Sequence, residues 1–398
     1  MLRRSRIHCL VSGTVAVTIA GLLATATPAH AASGVLDTTF GVGGQVTTDF
    51  GVNPSEPEMG NDMVVQPDGK IVLAGRAGTD QFPVGGDGTF GVARYLPNGS
   101  LDPSFGTGGL VKTNFVAPPQ RAIPRAVALQ VDGKIVVGGT AGTIDTNAKL
   151  AIARYNPDGS LDPTFGNGGH AEPVIGNSGH LFAMKLLPSG KFLATGTGFN
   201  PATQGDFLLA RFNPDGSLDT TFASAGLVTT DLSGLNDLVF AIAVTSTGQI
   251  LLAGEANADD ALGVSGDTHV ALARYSADGT LDTTFGSGGK VDHNLTTNQD
   301  EGRSVVLQSD GKIVVAGPRD GSNVHADPSA GSAAVIRYNA NGTLDTTFGT
   351  GGAATTTFGG AAAGARSMAL DSNGRIVVAG GAGMPNTGVD FALARFLP

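Results

Sequence analysis

"AIARYNPDGSLDPTFG", residues Ala151–Gly166, decides the fold. An apolar run, "AIARY", enters the tight turn "NPDGS" and continues into "LDPTF". Pro157 suits the second position of a type I turn, and Gly159 suits the left-handed position that follows. A three-residue loop Pro157-Asp158-Gly159 places Tyr155 opposite Leu161 and Arg154 opposite Asp162. The stretch therefore reads as a β-hairpin. Just upstream, "RAVALQVDGKIVVGGT" (Arg125–Thr140) has the same form, with two apolar, β-branched runs around "QVDGK". One unit is two hairpins: strands a and b, then strands c and d, with "LDxxF" read as strand d.

The unit recurs along the chain. "LDxxF" begins at Leu36, Leu101, Leu161, Leu218, Leu281 and Leu344. The "QPDGKIVLAG" type runs over Gln66–Gly75, Gln130–Gly139, Leu187–Gly196, Thr245–Gly254, Gln308–Gly317 and Asp371–Gly380. The "ARY" type ends at Tyr95, Tyr155, Phe212, Tyr275, Tyr338 and Phe396. A period near sixty residues signals a solenoid or a propeller. Six four-stranded units without helical periodicity suit blades around an axis, so the expected fold is an all-β, six-bladed β-propeller. The 61 glycines and 20 prolines would elsewhere suggest disorder, but here they hold fixed places in the repeat.

The last copy, "VDFALARFLP" (Val389–Pro398), stops after strand c, whereas "GVLDTTFG" near the start supplies a lone strand d. The sequence predicts that Leu36–Phe40 pairs with Phe391–Phe396, completes the last blade and leaves no open edge. Residues 32–398 then form a single propeller domain. The combination "LDTTFGxGG…QxDGKIVVAG…FALARYNxDGSLD" resembles the delta-60 repeat of secreted and surface bacterial proteins, over essentially all of residues 34–398. The layout is also similar to the NHL-type propeller repeat. These resemblances imply a propeller and export, and imply no established reaction.

The first 31 residues have the form of a cleaved secretory signal. Arg3, Arg4 and Arg6 precede an apolar run from about Cys9 to Ala26, and Ala29-His30-Ala31 gives the cleavage pattern. Cys9, the one cysteine, leaves with the signal, so disulfides and thiol chemistry are excluded. Loss of those three arginines moves the formal charge from −10 to −13. An acidic exported chain is a poor partner for nucleic acid or anionic membrane. No later segment is long and apolar enough to cross a bilayer. The expected location is extracellular, free or held at the cell surface.

The "AR[YF]" arginines and the "LD" aspartates form six expected pairs. They are Arg94 with Asp102, Arg154 with Asp162, Arg211 with Asp219, Arg274 with Asp282, Arg337 with Asp345, and Arg395 with Asp37 across the closure. A catalytic pair occurs once in a site, whereas these occur once per blade. They are read as structural pairs between blades, a use that suits a planar guanidinium. Tyr155, Leu161 and Phe165 are expected on one face against the neighbouring blade. The "GxGG" that follows "LDxxF" in five of the six units has no following helix and reads as a turn, not a phosphate cradle.

A single site must come from residues that break the pattern. One position near the start of strand a holds Asn61, Arg125, Phe182, Phe240, Arg303 and Arg366. Asn61 and the three arginines at the channel mouth could bind an anion on a sugar. The competing reading is local pairing, for example of Arg303 with Glu301. No HExxH, DxDxDG or GxSxG motif is present, so no catalytic residue, metal site or cofactor is assigned. Calcium is the ion that the acidic loop residues Asp259, Asp260, Asp267, Asp320 and Asp327 could gather. The expected function is a binding scaffold for an extracellular glycan, cell-wall component or protein on the loop-rich face. The alternatives are a lactonase-like or sugar-acting hydrolase or lyase using Asp62, Asp237 and Glu301, or a purely structural surface module.

Overall fold

The computed structural model describes residues 38–398 apart from 44, 52–58, 78–88, 116–120, 143–148, 174–178, 201, 203, 259–266, 321–330, 358–361, 372 and 385–387. Residues 1–31, the expected signal, and Asp37, the expected partner of Arg395, lie outside the described residues. So do Asp259, Asp260 and Asp327.

The described chain is all β. Blade one holds β1 (Met59–Val65), β2 (Ile71–Ala77), β3 (Thr89–Tyr95) and β4 (Leu110–Thr113). Blade two holds β5 (Arg121–Leu129), β6 (Ile135–Gly142), β7 (Lys149–Tyr155) and β8 (His170–Ala171). Blade three holds β9 (Gly179–Leu186), β10 (Phe192–Asn200), β11 (Gln204–Phe212) and β12 (Leu227–Thr230). Blade four holds β13 (Asn236–Val244), β14 (Ile250–Ala258), β15 (His269–Tyr275) and β16 (Lys290–His293). Blade five holds β17 (Ser304–Leu307), β18 (Ile313–Arg319), β19 (Ser332–Tyr338) and β20 (Ala353–Thr356). Blade six holds β21 (Ala362–Leu370), β22 (Ile376–Met384) and β23 (Gly388–Phe396). Each sheet is an antiparallel meander in chain order. The first strands touch in succession, β1 to β5, β9, β13, β17 and β21, so they line the inner side.

Alternation along strand c builds the core between blades. In β7, Ala151, Ala153 and Tyr155 pack toward blade one with Val72, Val92 and Phe105. Leu150 and Ile152 face the other way, with Leu181, Phe192 and Leu208 of blade three. The side-chain period of two thus feeds two interfaces from one strand.

The structure corrects two expectations. Tyr155 does lie opposite Leu161, but as an isolated bridge, and "LDxxF" continues as a turn rather than a strand. The outer strand comes after "GxGG", as at Leu110–Thr113. The reason is visible at Asp162, whose Oδ1 accepts from Thr164 N at 3.0 Å and Thr164 Oγ1 at 2.7 Å, which curls the chain into a turn. Tyr155 and Leu161 also do not share a face with Phe165. They pack toward blade one, whereas Phe165 packs toward blade three, under the glycine of the next hairpin turn. A Cβ on Gly216 would lie 2.6 Å from the Phe165 ring.

Thr38–Phe40 is a turn in the structure, and no pairing to β23 appears among the described residues. The sixth sheet is three-stranded.

Candidate functional site

The repeated charges form a corner at each blade junction. Arg154 Nε donates to Asp162 Oδ2 at 2.8 Å, and Lys134 Nζ lies 2.9 Å from the same oxygen. Arg154 also donates to the carbonyl of Pro214 in the next blade, and its guanidinium lies 4.8 Å over the Phe165 ring. The same pair stands at Arg94–Asp102 (2.9 Å), Arg211–Asp219 (2.6 Å), Arg274–Asp282 (2.8 Å) and Arg337–Asp345 (2.8 Å). Burial opposes ionisation of Asp162. Hydrogen bonds from Thr164 and Lys134, with the Arg154 charge, outweigh it and hold the carboxyl well below the usual range. The corner is saturated by protein groups and leaves no oxygen of Asp162 aimed at a ligand. The sequence reading missed the lysine that follows the glycine of the first hairpin turn, which joins Asp102, Asp162, Asp219 and Asp345 through Lys70, Lys134, Lys191 and Lys312.

The non-repeated position is different. Asn61, Arg125, Phe182, Phe240 and Arg366 each sit where the register of strand a slips against strand b. They are bulged residues, and a bulge re-aims a side chain. The signal for this was in the sequence, in the glycine that ends each "IVVAG". A Cβ on Gly139 would lie 2.0 Å from Ile123 O, on Gly196 1.6 Å from His180 O, and on Gly254 1.9 Å from Leu238 O. Only glycine lets the bulged backbone press so close.

Several of these residues meet beside the first strands of the blades. Phe182 and Phe240 meet edge to face, with centroids 5.6 Å apart. The Arg303 guanidinium lies 3.8 Å over the Phe240 ring, and that of Arg125 5.7 Å over Phe182. Arg303 Nε also donates to Glu301 Oε2. Desolvation and the neighbouring Arg303 charge lower the pKa of Arg366, against the opposing pull of Glu301. Asn61 is turned to the scaffold, with its Nδ2 donating to Pro124 O at 2.7 Å.

The three acids considered for catalysis are each held by the scaffold. Asp62 accepts from Met63 N at 2.9 Å and Val127 N at 2.7 Å, and burial raises its pKa against those bonds. Asp237 accepts from Leu232 N and Ser233 Oγ at 2.6 and 2.7 Å. Glu301 is paired with Arg303.

The family model "Domain of unknown function (DUF5122) beta-propeller" matches residues 66–105, 130–165, 187–222, 245–285, 308–348 and 372–398. The match is to a β-propeller repeat family and does not carry the delta-60 name. No curated protein matches the chain. Among solved structures, a protein of unknown function from Dyadobacter fermentans is 12% identical, with TM-score 0.46, over 84% of this chain and 93% of that one. An ulvan lyase of polysaccharide lyase family PL25 is 10% identical, with TM-score 0.45, over 84% and 78%. An α-L-arabinanase from Penicillium chrysogenum is 10% identical, with TM-score 0.42, over 84% and 92%. These scores are too low to carry residue roles. No helix among the described residues is long and apolar enough to cross a membrane.

Proposed function

The chain belongs to the DUF5122 β-propeller family, and from that premise we propose that it is an exported propeller that binds an anionic glycan at the inner rim. The observation behind this is the set of bulged residues Arg125, Phe182, Phe240 and Arg366, with Arg303 beside them over the Phe240 ring. Arginine offers a planar donor fork to a carboxylate or sulfate. The phenyl edges offer apolar surface to a sugar's C–H face, and both kinds of group project from a rigid sheet. Asn61 belongs to this ring by position. Export rests on the signal-like residues 1–31.

The ring is complete only if blade six closes on blade one. We assign that closure to residues 45–48 in place of Leu36–Phe40. Gly41 N donates to Asn98 O at 2.7 Å, as Gly106 N does to Asp158 O and Gly166 N to Asp215 O, each at 2.7 Å. Tyr95 Oη donates to Thr48 Oγ1 at 2.8 Å, as Tyr155 does to Thr113 at 2.8 Å. The segment thus sits on blade one as the fourth strand of a preceding blade sits on the next, and β23 is the edge it would join.

Calorimetric titration with sulfated, carboxylated and neutral oligosaccharides tests the binding reading. Charged sugars should bind, and Arg303→Ala with Arg366→Ala should weaken them by more than tenfold. Equal binding of neutral sugars, or unchanged binding in the double variant, would sink it. The alternative, a hydrolase or lyase, is favoured by Asp62, the acid raised by burial beside Asn61. Release of unsaturated or reducing ends that stops with Asp62→Asn would move the assignment there. Binding to no sugar would leave a protein partner or a structural module.

A further inference from the structure

We propose that Asp206, Asp231 and Asp237 form a calcium site that fastens blade three to blade four. The three residues come from different elements. Asp206 lies on β11, Asp231 directly follows β12, and Asp237 lies on β13 of the next blade. One carboxylate oxygen from each lies within 4.8 Å of the others. Two oxygens bound to one calcium at 2.3–2.6 Å can stand no further apart than about 5 Å, so the set fits one ion.

A second observation points the same way. Asp206 is 2% exposed, and its Oδ1 is buried with no hydrogen-bond partner among the described residues. Its Oδ2 accepts, among the described residues, from Asn200 Nδ2 alone, at 3.3 Å. An ionised carboxylate in that position is costly unless a cation faces it. No lysine or arginine among the described residues pairs with the carboxylate of Asp206 or Asp231; Lys290 Nζ donates instead to the backbone carbonyl of Asp231. The loop between them is already shaped. Gly234 N donates to Asp231 Oδ1 at 2.6 Å, and Asn236 bridges to Gln204 Oε1 at 2.6 Å and from Gly205 N at 3.0 Å. These bonds fix the start of β11 beside the turn that carries Asp231.

The next junction is an internal control. At the equivalent three positions blade four has His269, Asn294 and Asp300. Asp300 caps Leu295 N and Thr296 N, as Asp237 caps Leu232 N. The other two acids are replaced by His269 and Asn294, which contact each other and the neighbouring Asp267 and Asp292. Asn294 Nδ2 lies 2.9 Å from His269 Nε2, and His269 Nδ1 lies 2.6 Å from Asp292 Oδ1. The same backbone frame is held there by contacts among protein side chains. In blade two the position of Asp206 is Lys149. All-oxygen, all-acidic donors select a hard ion, and a calcium module outside the cell works at about 0.1–1 mM.

The test is calcium titration of the full chain by calorimetry, with thermal unfolding in chelator and in 1 mM calcium. One calcium per chain should bind, with a rise in melting temperature of roughly 2 °C or more. Asp231→Asn, on a half-exposed residue, should weaken binding at least tenfold while the chelated protein melts unchanged. Asp206→Asn should abolish the calcium shift and raise the melting point in chelator, because a neutral amide replaces the uncompensated charge. No calcium binding up to 10 mM overturns the proposal. So does binding that survives both variants, which would place the ion elsewhere. A chelated protein that grows more stable as pH falls toward 5 and ignores calcium would mean the acids share protons instead.

Discussion

Blade two and blade six carry nearly the same third strand, "LAIARY" at Leu150–Tyr155 and "FALARF" at Phe391–Phe396. Their environments differ. Ile152 is 0% exposed, whereas Leu393, its counterpart, is 74% exposed. Arg154 is buried among Asp162, Lys134 and Pro214, whereas Arg395 is exposed. The motif makes the strand, and burial comes from what lies outside it. In blade two that is a fourth strand and the "LDxxF" turn that follows. In blade six neither is paired with β23 among the described residues.

The comparison can be broken from either side. Arg154→Ala should cost about 3–5 kcal/mol, because it leaves Asp162 charged and buried. Urea unfolding gives the number, and a loss under 1 kcal/mol would mean the corner is ornamental. Arg395→Ala should approach that loss only if Asp37 reaches it. Leu393→Ala should cost roughly 2–4 kcal/mol if residues 45–48 cover it, and stay within about 0.5 kcal/mol if the edge is open.

Gly139→Ala probes the bulge rather than the corner. Its Cβ would meet Ile123 O, so the strand must shift, at roughly 1–3 kcal/mol. Because the bulge aims Arg125, glycan affinity should fall along with stability. A variant that melts lower but binds normally would detach the ring from the bulge.

Acid should undo the corners together. Asp102, Asp162, Asp219 and Asp345 all have depressed carboxyl pKa values. A depressed folded-state pKa contributes stability that is fully present above the unfolded carboxylate value of about 3.9 and is lost as pH falls below it. The melting temperature should therefore drop steeply below about pH 4, and Asp162→Asn should flatten that slope. The smallest effect belongs to blade three, where Ala223 and Ala225 stand in place of turn glycines with φ of 45° and 54°. Ala225→Gly should stabilise by up to about 1 kcal/mol.

Much of this architecture was legible in the sequence. The "NPDGS" turn fixed the pairing of Tyr155 with Leu161, and six copies gave six sheets. What misled was "LDPTF", whose alternation looks like a strand. The Asp162 carboxylate captures the backbone two residues on, and propensity within the strand does not reveal that. The bulges were missed because one slipped residue leaves no apolar signature; its trace is the facing glycine. The Asp206 cluster was missed because its members are 25 and 6 residues apart and meet only when two blades pack.

The most direct test of the closed ring is a cysteine pair. Val92 faces Val111 and Leu209 faces Val228, so Leu393 should face Val46. In a Cys9→Ser chain, Val46→Cys with Leu393→Cys would stand about 4.5–5.5 Å apart at Cα, within disulfide reach. The account predicts spontaneous, near-complete oxidation, read as two blocked thiols by mass, with a melting point that falls on reduction. Two thiols that remain free and alkylate rapidly in the native protein would contradict it.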